Sequence, residues 1–104
     1  METVASRELE LLNGFNSSSK VEIVLFKPIP AEGGGYKCQV SIQGLTGNGI
    51  PPIIGEDSMQ ALVLAIVSLG HYLANSEENR QGRLKWLGMS DLGFSFNSTP
   101  NVIA

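Results

Sequence analysis

A chain of 104 residues, 42% hydrophobic and only 16% charged, has room for one small domain with a real core and none for a separate catalytic or regulatory module. Its formal charge of −3, from seven Lys/Arg against ten Asp/Glu, argues against direct nucleic-acid binding and against an anionic membrane, since both draw on a basic excess. Cys38 stands alone, which excludes an internal disulfide and a cysteine-built zinc site.

The chain opens on Met1-Glu2-Thr3-Val4-Ala5-Ser6-Arg7-Glu8, with early acids and no apolar stretch of the kind a signal peptide carries. The longest unbroken apolar run, 61–67, is too short to cross a bilayer. Both features point to the cytoplasm. The first predicted strand covers 7–11, where Glu8 and Glu10 alternate with Leu9 and Leu11 at the period of a half-buried strand. Asn13-Gly14 and the polar run 16–19 then supply turn chemistry. A second strand covers 20–27, with Val21, Ile23 and Leu25 on one face and Glu22, Val24 and Phe26 on the other. Pro28 and Pro30 end it, because neither can donate to a ladder.

Gly33-Gly34-Gly35 permits the positive φ of a hairpin turn. The third predicted strand is one continuous stretch, 36–43, with Tyr36, Cys38, Val40 and Ile42 inward and Cys38 a small buried hydrophobe. A loop follows over 44–49, then a short edge strand, 50–54, weakened by Pro51-Pro52.

The helix is the clearest element. Asp57 has the chemistry of an N-cap, and Gln60 stands three residues on, where it completes a capping box. At about 100° per residue, Met59, Leu62, Ile66, Leu69 and Leu73 form one stripe, the expected core face. The helix frays near Asn75-Ser76, and 77–82 reads as a polar connector in which Glu77-Glu78 is a solvated turn. A last short strand over 83–87, a turn at Asp91-Leu92-Gly93-Phe94 with one packing aromatic, and a frayed tail over 97–104 complete the chain. The expected fold is a single α+β domain over 1–104. Its antiparallel sheet has four to five strands in the order β-β-β-β-α-β, with one long helix packed on one face.

Candidates for chemistry are sparse. His71, the only histidine, falls on the outer helix face without a nucleophile context or a second ligand at helical spacing. The glycine loops are not followed by Lys-Ser/Thr, and neither opens a helix as a phosphate loop does. No catalytic residue, cofactor or metal is therefore expected. Two surfaces are more informative. On the helix, Leu64 and Val67 interrupt a polar face; either the segment 92–96 covers them or they form a patch for homodimerisation. On the sheet, the face away from the helix should show Glu8, Glu10, Glu22, Val24, Phe26, Lys37, Gln39, Ser41 and Gln43. That mildly acidic surface suits a basic protein partner, with Glu8, Glu10 and Glu22 as charges, Phe26 as apolar anchor, and Gln39 and Gln43 beside them.

The stretch Gly55-Glu56-Asp57-Ser58-Met59-Gln60-Ala61-Leu62-Val63-Leu64-Ala65, or G-x-D-S-x-Q-A-L-x-L-A, resembles a family of short uncharacterised bacterial proteins. The resemblance extends to Tyr36-Lys37-Cys38, Leu84-Lys85-Trp86-Leu87-Gly88 and Asp91-Leu92-Gly93-Phe94, and so covers 7–96; Pro51-Pro52 departs from it. It implies a stand-alone cytoplasmic protein. Some similar small acidic proteins are immunity proteins of contact-dependent growth inhibition systems. The implied partner is then a cognate toxin domain, a basic nuclease, bound one to one. The competing expectation is a small-molecule-binding or enzymatic domain with a pocket between helix and sheet, lined by His71, Tyr72 and Trp86.

Overall fold

The computed structural model describes residues 1–94; the expected frayed tail, 97–104, and Phe96 lie outside them. The fold is α+β. A long antiparallel hairpin, β1 (Thr3–Gly14) and β2 (Ser17–Phe26), is its frame. Leu9 lies opposite Val21 and Arg7 opposite Ile23, so the inward rows Leu9, Leu11, Val21 and Ile23 are buried while Glu8, Glu10 and Glu22 are exposed, as the alternation predicts. Phe15 and Asn16, at φ 51° and 62°, make the two-residue turn between Gly14 and Ser17, a geometry whose twist matches that of the strands.

The expected single strand over 36–43 is two strands in two sheets: β4 (Tyr36–Cys38) and β5 (Val40–Gln43). β5 pairs with β2, Val40 opposite Leu25, and that ladder runs backward toward Pro28. β2 stops at Phe26, and the amide of Lys27 donates instead to the Glu2 carbonyl at 2.7 Å. Residues before Gln39 thus have no β2 backbone left to meet. They pair with β3 (Ile29–Pro30) across the glycine turn and with β6 (Ile53–Gly55), which starts just past the two prolines. Both backbone groups of Phe26 hold the crossing: its N–H donates to the Gln39 carbonyl at 3.0 Å, and its carbonyl accepts from Cys38 Sγ at 3.2 Å. Burial pushes the Cys38 thiol up, so it stays protonated and serves as a packed donor. With β7 (Leu84–Lys85) on the far side of β1, the sheets have the orders β5-β2-β1-β7 and β3-β4-β6, every pairing antiparallel.

Helix α1 (Ser58–Ala74) begins at the Asp57 cap, whose Oδ1 accepts from the Gln60 amide at 2.8 Å. Gln60 Oε1 reaches one residue beyond the cap, to the Glu56 amide, at 2.7 Å. The expected core stripe is rotated. Met59 is 73% exposed, Leu62 and Ile66 are half-buried, and the buried residues are Ala61, Ala65, Leu69, Gly70 and Leu73. The cause is the close approach of the first helical turns to β4 and β6. A Cβ at Gly55 would lie 2.7 Å from Ala61 Cα, so only small residues fit that seam. Ala61 and Ala65 pack there with Leu25 and Cys38, whereas Leu69 and Leu73 meet Leu9, Leu11, Val21, Ile23 and Leu84 on the larger sheet.

The expected polar connector contains a second, short helix, α2 (Glu77–Arg80), capped by Ser76 Oγ on the Asn79 amide at 3.2 Å. Leu92 is buried in the core beside Leu9 and Leu84, and Phe94 packs against the same cluster. Leu64 remains 38% exposed and Val67 half-buried.

Candidate functional site

Register decides which of the candidate contact residues meet. Glu8 lies directly opposite Glu22, and Glu22 opposite Gln43, so these three form one row across β1, β2 and β5 on the exposed face. Glu10 stands one row away, between Lys20 on β2 and Lys85 on β7. Lys20 Nζ is 3.5 Å from Glu8 Oε2, an exposed pair. The Leu87-Gly88 turn rises beside these strands, and with Glu8, Glu10 and Lys20 it borders a depression of about 510 Å³. Phe26 and Gln39, both half-buried, sit at the other end of β2, about 13 Å from Glu22 along the strand. They adjoin each other but not the carboxylate row. Lys37, expected on this face, is carried by β4 into the second sheet. Phe15, not among the expected contacts, is 103% exposed at the hairpin tip. The turn requires positive φ at this position, which a bulky residue such as Phe meets less readily than Asn or Gly.

On the opposite side of the molecule, the residues expected to line a helix–sheet pocket divide. His71 and Tyr72 border an open depression with Thr46, Gly47 and Glu78. Here the apparently solvated Glu77-Glu78 pair separates: Glu78 is only 4% exposed, and its Oε2 accepts from the Thr46 amide and hydroxyl, each at 2.9 Å. Burial by itself would push this carboxyl up. The hydrogen bonds from Thr46 and from its own amide, with the nearby Arg83 charge, outweigh burial and hold it below the usual carboxylate range. Tyr72 Oη accepts from the Gly49 amide at 3.0 Å, and a Cβ at Gly47 would lie 3.2 Å from Tyr72 Cζ. These contacts fasten the 44–49 loop to the helices. Their role is architectural.

A pocket between helix and sheet does exist, with other walls. Ile23, Leu25, Ile66 and Leu69 line an open groove of about 280 Å³, with Arg7 and Phe94 among its other lining residues. Arg7 projects inward, in phase with Leu9 and Leu11. Its Cζ lies 3.9 Å from the Trp86 ring centroid and 4.8 Å from that of Phe94, and Nη1 donates to the Leu92 carbonyl at 2.8 Å. A Cβ at Gly93 would stand 2.6 Å from Arg7 Nη1, so glycine there is what lets the guanidinium lie against the chain. The signal for Arg7 was present in the sequence as a cation on the apolar side of an alternating strand.

Two antiparallel sheets meeting along one helix, with an acidic row on the outer face and Arg7 on the inner one, define a small α+β domain. Among the described residues no helix is long and apolar enough to cross a membrane, and no group of His, Cys, Asp and Glu could hold a metal ion. The model of a domain of unknown function, DUF6968, matches residues 5–96, and the chain belongs to that family. No curated protein and no solved structure matches the chain.

Proposed function

We propose that this chain is a small acidic binding protein that takes a basic protein partner on the outer face of the four-stranded sheet. In its most concrete form it is a cytoplasmic immunity protein that neutralises a cognate toxin domain, one to one. The observation that carries this is the Glu8–Glu22 pair. Like charges directly opposite across antiparallel strands destabilise a sheet. Lys20 relieves only one of the two, from an exposed position where an ion pair contributes little. A cationic partner turns that repulsion into attraction and steers association at long range.

Phe15 supports the same reading. A fully exposed aromatic ring, held at a backbone angle that disfavours it, gains from burial in a partner what it cannot gain from this fold. The resemblance of the helix signature points to a toxin, and a nuclease toxin has the phosphate-binding cations that a carboxylate row would occupy. Co-expression with the product of the adjacent gene tests the proposal. The expected result is a one-to-one complex on size exclusion and loss of that product's nucleic-acid cleavage. A chain that stays monomeric beside an uninhibited nuclease contradicts it.

A further inference from the structure

Independently of the outer face, we propose that the groove between α1 and the inner face of the larger sheet binds a small amphipathic organic anion. Arg7 holds the carboxylate, and the walls of Ile23, Leu25, Ile66 and Leu69 take the hydrocarbon. All ten acidic side chains of the chain lie among the described residues, and none pairs with Arg7. A half-buried guanidinium ordinarily finds a carboxylate; this one has two aromatic rings and one carbonyl instead.

No fully buried side-chain nitrogen or oxygen among the described residues lacks a hydrogen-bond partner, so the Arg7 N–H groups not used on Leu92 are not fully enclosed, and Arg7 itself is among the residues lining the pocket. They form the donor fork that a planar carboxylate matches with two parallel bonds. Trp86, Phe94 and the Leu92 carbonyl fix the orientation of that fork before any ligand arrives. A groove of about 280 Å³ is at the small end for ligand sites, which suits a medium-length alkyl or a single aromatic ring. A cationic amphiphile meets Arg7 as a like charge, and a neutral one leaves its donors unmatched.

The test uses the full chain titrated with octanoate, octanol and octylammonium, by calorimetry and by the fluorescence of Trp86, the only tryptophan. Octanoate should bind saturably, one to one, at least about tenfold more tightly than octanol; octylammonium should not bind. Arg7→Gln should remove that tenfold difference. Because Arg7 also braces Trp86, Ala5→Phe at the exposed rim is the second variant. It should abolish binding of both octanoate and octanol while the unfolding midpoint and the Arg7–Trp86 contact persist. Equal affinity for octanoate and octanol overturns anion recognition. Absence of saturable octanoate binding overturns the site.

Discussion

Arg7 and Glu8 are adjacent in sequence and occupy opposite faces of one strand, yet their surroundings differ in kind. Arg7 turns inward, where two rings and a carbonyl hold its charge at the edge of a groove. Glu8 turns outward, where register sets it opposite a second carboxylate and one exposed lysine, Lys20, is its ion-pair partner. Inward positions on this sheet draw their energy from packing, which the exposed carboxylates on the outer face do not. A charge pattern that costs stability on the outer face therefore asks for an explanation outside the fold.

The largest expected effect tests the inner half of that contrast. Leu9→Ala should lower unfolding stability by about 3 kcal/mol, because Leu9 is fully buried among Leu11, Val21, Leu73 and Leu84. Glu8→Ala, one residue away, should stay within about 0.5 kcal/mol in the same urea titration. Comparable losses at both sites would erase the distinction between the faces.

Glu78 sharpens it from the helix side. Glu78→Ala strands two Thr46 donors and should cost about 2 kcal/mol. The carboxyl is held below its ordinary value of 4.5 in the folded chain, so its contribution is complete above that pH and is lost as pH falls toward the folded value. Thermal unfolding followed from pH 7 downward should fall more steeply below about 4.5 in the native chain than in Glu78→Gln.

Two smaller effects carry opposite signs for folding and for binding. Phe15→Gly removes a bulky residue from positive φ and should stabilise the hairpin by about 1 kcal/mol, while weakening the complex with the partner. Glu22→Gln relieves the like-charge pair and should stabilise by about 0.3 kcal/mol, again with a weaker complex. A variant that gained or lost in both measurements together would place these residues in the service of the fold alone.

How much of this the sequence disclosed follows physical lines. Alternation set Glu8, Glu10 and Glu22 apart from Leu9, Val21 and Ile23, because a strand with one buried face admits one phase. The Asp57 cap was legible for a similar reason: its bond is local. The division of 36–43 between two sheets was not legible from parity. It depends on the β2–β5 register, which brings Pro28 toward the place where pairing would otherwise continue, and Lys37 changed sheets with it. Hydrophobicity put Met59 in the core, whereas the bare backbone of Gly55 selected Ala61 by size. Glu78 looked solvated because its partner, Thr46, is 32 residues away. Arg7 was visible by phase, but the rings that hold it come from the far end of the described chain.

The central claim is that the outer carboxylate row exists for a basic partner. Its most direct test is the affinity of the Glu8→Lys/Glu22→Lys double variant for the product of the adjacent gene, measured by calorimetry beside a thermal melt of the variant alone. An affinity loss of at least about a hundredfold with an unchanged unfolding midpoint is expected. Undiminished binding by a folded double variant would contradict the claim.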